Sequence, residues 1–245
     1  VNEAINVQGL RKAYGSIQAV DGIDLMVTRG EVFGLLGPNG AGKSTTIECI
    51  IGTRKRDSGE VTLLGLDPER DRKRLFERVG VQFQESGYQE KIRVGELCDF
   101  TAALYAHPAD WKGLLSRFGL GAKARAMASE LSGGQRQRLA IVLALIPKPE
   151  LVFLDELTTG LDPMARREVW DYVKGLKAEG VTILLSSHYM EEVEYLCDRI
   201  AILKAGRIAV QGTPAELVRL AGTKNLEEAF LLYMDKDDGK EEATC

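Results

Sequence analysis

Gly37-Pro38-Asn39-Gly40-Ala41-Gly42-Lys43-Ser44-Thr45 is the stretch on which the reading of this chain turns. It contains G-x-x-x-x-G-K-[ST], a phosphate-binding pattern in which glycines let backbone N–H groups converge on phosphate oxygens. The flanks supply the context such a loop requires. Val32-Phe33-Gly34-Leu35-Leu36 is a short apolar run that predicts a buried strand. Lys43 to Ile51 places apolar side chains at Ile47, Ile50 and Ile51 and predicts a helix, whose N-terminus adds its positive dipole end to the loop. In this chemistry Lys43 reaches the β- and γ-phosphates and the Ser44 hydroxyl ligates Mg²⁺. A glycine turn holding Lys-Ser by chance would need neither flank.

Working outward, the 245 residues carry a net charge of −4, with 44% hydrophobic and 28% charged side chains. That balance is ordinary for a globular chain and argues against nonspecific nucleic-acid binding, which needs a basic face. The longest apolar run, Leu139 to Ile146, falls far short of the ~20 residues of a membrane helix, and no secretory leader is read at the start. Work at a membrane would therefore depend on another chain. Cys49, Cys98, Cys197 and Cys245 are scattered without a C-x-x-C pair and read as reduced thiols, not as a disulfide or zinc framework.

Three stretches before the loop, Ile5 to Leu10, Gln18 to Val27 and Val32 to Leu36, read as strands separated by turn-forming residues. After the loop helix come a strand at Glu60 to Leu64, a charged helix, and a strand from Val79 to Phe83 that ends at Gln84. The basic run Arg70, Arg72, Lys73 and Arg74 reads as a solvated helix face. Residues 87–146 then lose all strand pattern. Val94 to Tyr105, Trp111 to Phe118 and Gln135 to Ile146 have helical periods, closed by Pro147 and Pro149. Alternation returns afterwards: strands at Leu151 to Leu154 and Val181 to Ser186, helices at Pro163 to Glu179 and Tyr189 to Leu196, and a hairpin spanning Arg199 to Gln211. Two helices, Pro214 to Leu220 and Leu226 to Met234, precede a polar tail expected to be disordered. Alternating strands and helices imply a mostly parallel sheet with its ligand at the carboxyl ends of the strands.

Two further constellations sit where that rule puts them. Leu151-Val152-Phe153-Leu154-Asp155-Glu156 is an apolar strand ending in two carboxylates. Asp155 suits Mg²⁺ held through its water shell, and Glu156 suits the general base that polarises an attacking water. Leu131-Ser132-Gly133-Gly134-Gln135 opens a helix in S-x-x-Q capping-box spacing, and its paired glycines expose N–H groups as a second phosphate cradle. Two phosphate edges and one carboxylate pair in one chain are resolved by two subunits head to tail, with ATP between the first edge of one and the second edge of the other.

Taken in order, these motifs resemble the nucleotide-binding subunits of ABC transporters over roughly residues 5–220, with Leu131 to Gln135, continued by Arg136-Gln137-Arg138, as the family's signature. The resemblance implies a P-loop, RecA-like α/β core with an N-terminal antiparallel β subdomain and an α-helical insertion. It implies one cassette over 1–234, with core at 1–86 and 147–222, helical subdomain at 87–146, a terminal helix at 223–234 and a tail at 235–245. Residue by residue, it implies that Tyr14 stacks on adenine, that Gln84 contacts Mg²⁺ and senses the γ-phosphate, and that His188 is the switch histidine. It also implies that Gly160-Leu161-Asp162 crosses the dimer interface; Asp162-Pro163 equally suits a helix N-cap. His107 reads as surface. Leu157 stands where the family usually has proline, a local backbone change that removes no catalytic group.

The resemblance implies an ATPase, with ATP and Mg²⁺, that drives an integral membrane permease from the cytoplasmic face of the membrane and pairs with itself or a homologous subunit. The competing reading is a soluble ABC ATPase of DNA or ribosomes. Those usually carry a long coiled-coil insertion or two cassettes with basic surfaces, and this chain shows one short acidic cassette. The segment Asn225-Leu226-Glu227-Glu228-Ala229-Phe230 and the sequence around Gln84-Glu85-Ser86-Gly87 resemble ABC-2-type export ATPases. Leu226 and Phe230 also fit a plain i,i+4 buried pair.

Overall fold

Ile5, Val7 and Leu10 bury one face of the first strand, β1 (Glu3–Tyr14), and Val20, Ile23, Leu25 and Val27 that of the second, β2 (Ile17–Thr28); the two pair antiparallel around a turn at Gly15, and register shifts interrupt the strict alternation of a regular strand. These elements belong to a computed structural model that describes residues 2–83 and 91–235. In chain order there follow β3 (Val32–Leu36), α1 (Lys43–Ile50), β4 (Ser58–Leu63), α2 (Arg72–Phe76) and β5 (Val79–Gln82). The helices α3 (Val94–Ala102), α4 (Trp111–Arg117) and α5 (Gly133–Leu145) come next. The chain then runs through β6 (Leu151–Asp155), α6 (Pro163–Ala178), β7 (Thr182–Ser187), α7 (Met190–Leu196), β8 (Arg199–Lys204), β9 (Arg207–Gly212), α8 (Pro214–Ala221) and α9 (Leu226–Asp235).

Among the described residues the strands form two sheets. A three-stranded antiparallel sheet has the order β2-β1-β4, and a six-stranded sheet has the order β5-β6-β7-β3-β8-β9. The second sheet is parallel except for β9, which returns as a hairpin partner of β8. Every residue of β3, β6 and β7 is buried, as expected of parallel strands covered on both faces. One apolar core joins the antiparallel sheet, α1 and one face of the parallel sheet, through Ile5, Leu10, Ile47 and Phe153. A second core joins the opposite face to α3–α6 through Phe118, Leu139, Val152 and Trp170. A third gathers Leu36, Val193, Leu217 and Leu226 beneath α7–α9.

The α/β architecture, the antiparallel unit and the helical insertion match the sequence reading. The ends of elements differ for local reasons. The helix read as far as Tyr105 stops at Ala102, because the N–H groups of Leu104 and Tyr105 bond three residues back, in tighter turns. Two three-residue 3₁₀ turns, Gly121–Lys123 and Ala128–Glu130, are too short for a periodicity to reveal. The charged helix is a single short turn, Arg72–Phe76, in which Arg72, Lys73 and Arg74 are exposed and only Leu75 is buried; Arg70, read on the same face, is exposed in the turn before it. The tail read at 235–245 lies outside the described residues apart from Asp235, the last residue of α9.

At the sheet's other end Glu150, just before β6, ties two strand starts together. Its carboxylate accepts from Arg78 Nε at 2.6 Å and Nη2 at 3.0 Å, and from Arg29 Nη1 at 2.7 Å. The Arg78 hydrogen bond, helped by Arg29 and opposed by partial burial, lowers its pKa from the ordinary 4.5 to about 2. A depressed carboxylate contributes stability above its unfolded pKa and loses it as pH falls through its folded pKa. Glu150→Gln should therefore cost roughly 0.5–1.5 kcal/mol at neutral pH, since the pairs are largely exposed. In urea titrations the gap between wild type and variant should be constant above pH 5 and close between 4.5 and about 2.

Candidate functional site

The parallel ladder aligns the carboxyl ends of three neighbouring strands. Leu36 at the end of β3 pairs with Ser187 in β7, and Asp155 at the end of β6 pairs with Ser186. The loops that leave these ends border one cleft of about 680 Å³. It brings together Tyr14, Asn39, Gly40, Gly42, Lys43, Ser44, Thr45, Glu156 and His188, with Ala19 and Thr159 beside them.

The loop between β3 and α1 depends on glycine where other chain segments press on it. A Cβ on Gly42, at φ 99, would stand 2.3 Å from the Ala19 carbonyl oxygen, and one on Gly37 would stand 2.6 Å from that of Leu203. Either approach excludes a side chain. Pro38 accepts from the Ala41 N–H at 3.1 Å, which curls the loop, and Gly42 accepts from Thr46 N at 2.8 Å as the first helical bond of α1. Lys43 is only 5% exposed, and its ammonium donates to the carbonyls of Gly37 at 2.8 Å and Pro38 at 3.1 Å. Burial pulls its pKa below the ordinary lysine value, while the charges of Glu156 and Asp155 pull it back up.

Asp155 lies behind the loop. Burial pushes its carboxyl above the ordinary aspartate range, against hydrogen bonds from the Ser186 and Ser44 hydroxyls and the charge of Lys43. Ser186 donates to Asp155 and accepts from the Glu156 N–H at 3.0 Å, so one hydroxyl holds both acidic residues at their strand end. Glu156 sits at φ 50, in the left-handed region that costs a non-glycine residue energy. Thr159 donates to its carboxylate at 3.3 Å. Leu157, in the position where proline is usual, is fully buried. His188 follows β7 and stacks on Tyr189, ring centroids 4.1 Å apart. Tyr14 ends β1 with 41% of its surface exposed and with the cations of Lys12 and Arg54 at 5.6 and 5.7 Å from its ring centroid.

The other expected site residues stand elsewhere. Ser132 caps α5: its hydroxyl accepts from Gln135 N at 3.3 Å and Gln135 Oε1 accepts from Ser132 N at 3.1 Å, the reciprocal box read from the sequence. Leu131 is buried as an anchor, Ser132 and Gly133 are exposed, and Gly134 and Gln135 are partly covered; none of the five lines the cleft. Asp162 is exposed and caps α6, accepting from the N–H groups of Met164 and Ala165 at 3.0 Å each, with Pro163 opening the helix. A Cβ on Gly134 would lie 3.4 Å from Ala165 Cβ, so the capped glycine edge and the Asp162 corner adjoin. His107 is exposed. Gln84 lies outside the described residues, as does most of the stretch around it. Ser186 and Thr159 were not anticipated; the available signal was a Ser-Ser pair ending an apolar strand, as Asp155-Glu156 does.

The sequence profile of the ABC transporter family matches residues 20–159. The chain is similar to the daunorubicin resistance ATP-binding protein DrrA3 of Streptomyces coeruleorubidus, 39% identical over 91% of this chain and 72% of that one. It is similar to the Nod factor export ATP-binding protein I of Ralstonia nicotianae, 42% identical over 87% and 68%. The linearmycin resistance ATP-binding protein LnrL of Bacillus subtilis is 38% identical over 93% and 78%. Among solved structures, an ATP-binding subunit of an ABC transporter superposes with a TM-score of 0.86 at 28% identity, covering 94% of this chain and 99% of that one. The cbiO1 protein of Clostridium perfringens, part of the complex cbiONQ, gives 0.78 at 29% identity, covering 96% and 100%.

Removing the Ser186 hydroxyl strands the Glu156 N–H without its acceptor. Ser186→Ala should cost about 1–3 kcal/mol, the penalty for leaving a buried polar group unpaired. Urea unfolding should show it as a lower midpoint at unchanged slope.

Proposed function

This chain belongs to the ABC transporter family and is an ATP-binding, ATP-hydrolysing subunit, and from that premise we propose which residues do the work and what they drive. The observation that carries the reading is the meeting of Lys43, Ser44, Glu156 and His188 in one cleft while the capped edge at Ser132 stands exposed outside it. One chain thus holds one phosphate edge of the nucleotide site and offers another edge to a neighbour.

In this reading the N–H groups of Gly37 to Thr45 cradle the phosphates, Lys43 pairs with the β- and γ-oxygens, and Tyr14 stacks on adenine. Glu156 polarises the attacking water and His188 contacts the γ-phosphate. Leu131 to Gln135 of a second copy, or of a homologous subunit, closes the site from across the interface, with Asp162 at the seam. Gln84 links nucleotide to partner. The donors for Mg²⁺ fit: the Ser44 hydroxyl touches the buried Asp155 carboxyl, an oxygen set suited to a hard cation. When bound, the cation neutralises charge on the β- and γ-oxygens.

Hydrolysis would drive cargo through a separate membrane permease, with this subunit at its cytoplasmic face. Among the described residues no helix is long and apolar enough to cross a membrane. Export is the favoured direction, supported by relatives named for Nod factor export and drug resistance.

Glu156→Gln keeps the shape of the group and removes the base. Turnover should fall by ~10²–10⁴-fold, the usual contribution of a positioned base, with ATP still bound. Light scattering should then show an ATP-dependent dimer, and Ser132→Arg in the same background should abolish it. Normal hydrolysis by Glu156→Gln refutes the catalytic assignment. A second series separates the base from the phosphates: Tyr14→Ala should weaken ATP and GTP alike while Tyr14→Trp preserves both. Lys43→Ala should lose binding and turnover with the fold intact by circular dichroism.

A further inference from the structure

Among the described residues Glu192 has the only carboxyl side chain with no exposure at all. It stands in the first turn of α7, four residues beyond His188. Its Oε1 accepts from the Thr158 hydroxyl at 2.7 Å and from the Trp170 indole N–H at 2.9 Å. Among the described residues its Oε2 has no hydrogen-bond partner. Burying a carboxyl costs free energy unless its bonds compensate, so a group that keeps one oxygen unpaired is poor cement for a core.

The two donors show what the group holds. Thr158, 1% exposed, lies two residues after Glu156, and Trp170, 3% exposed, lies two turns into α6. Between them the chain runs through the Gly160–Asp162 corner, where Gly160 turns at φ 77 and Asp162 caps α6. One carboxyl oxygen therefore fastens both sides of that corner to the segment that carries His188. Adjacent threonines divide the turn: Thr158 points inward to Glu192, and Thr159 points outward to the Glu156 carboxylate.

We propose that Glu192 is a positioning residue that fixes the Glu156–Asp162 turn relative to His188, so that base and switch reach the γ-phosphate together. It is fully buried and acts through Thr158. This rests on the roles given above to Glu156 and His188. The bond to Thr158 is the functional one, and the bond to Trp170 anchors the brace to α6.

The test compares Glu192→Gln, Glu192→Leu, Thr158→Val and the Thr158→Val/Glu192→Leu double variant in the full chain. Glu192→Gln can still accept both bonds at its amide oxygen and should stay within about twofold of wild-type turnover. Glu192→Leu and Thr158→Val should each lose kcat by about 10- to 100-fold, the scale of an ångström-sized misplacement. Affinity for a fluorescent ATP analogue should stay within twofold, because the phosphate loop is untouched. The double variant should lose no more than the worse single one. Amide exchange at residues 157–162 should quicken in both single variants and stay slow in Glu192→Gln. Thr158→Val behaving as wild type, or kcat and affinity falling in proportion to lost thermal stability, would overturn the proposal. The exchange measurement keeps the two readings apart. A wild-type protein without ATPase activity defeats the function assigned above, whereas unchanged exchange in the variants defeats the brace.

Discussion

The register between β3, β7 and β6 is the constraint on which the rest depends. A parallel ladder lets every strand end at the same edge, and two pairings, Leu36 with Ser187 and Asp155 with Ser186, bring three loops to one place. Slipping one strand by a residue would turn its side chains to the opposite face and separate the acidic pair from the glycine loop. Register is protected by burial: all sixteen positions of β3, β6 and β7 are covered, so a slip has nowhere apolar to go. Fold stability and site geometry are in this sense one property.

Within that frame the site is held largely by small hydroxyl groups. Ser186 serves Asp155 and the Glu156 backbone, Ser44 reaches Asp155, and the two threonines after Glu156 face opposite ways. Short side chains lose little rotamer entropy when ordered, which suits them to fixing charged groups at low cost. Lys43 is handled differently. Its ammonium is satisfied by carbonyls of its own loop; in the role proposed for it, phosphate oxygens would replace these neutral acceptors with charged ones, and charge-assisted bonds are about twice as strong.

What could be read from the sequence was whatever is written locally. The glycine loop, the Asp155-Glu156 strand end, the Ser132–Gln135 box and the Asp162-Pro163 cap each span a few consecutive residues, and the hydrogen bonds found there are those their spacing implies. The helical insertion showed itself through a change of period. Glu192 and Ser186 escaped because their partners lie 34 and 31 residues away. A glutamate in the polar-looking run Glu191-Glu192 carries no mark of burial until α6 is packed over it. The two 3₁₀ turns escaped because periodicity needs more length than they have.

The left-handed backbone at Glu156 has an evolutionary consequence. A glycine there would adopt φ 50 freely, whereas any ordinary side chain holds it at a cost of roughly 1–2 kcal/mol. Folding alone would thus reward losing the carboxylate. On the role proposed for Glu156, a lineage released from the need for turnover should drift toward glycine here, exchanging the carboxylate for a sturdier, idle protein.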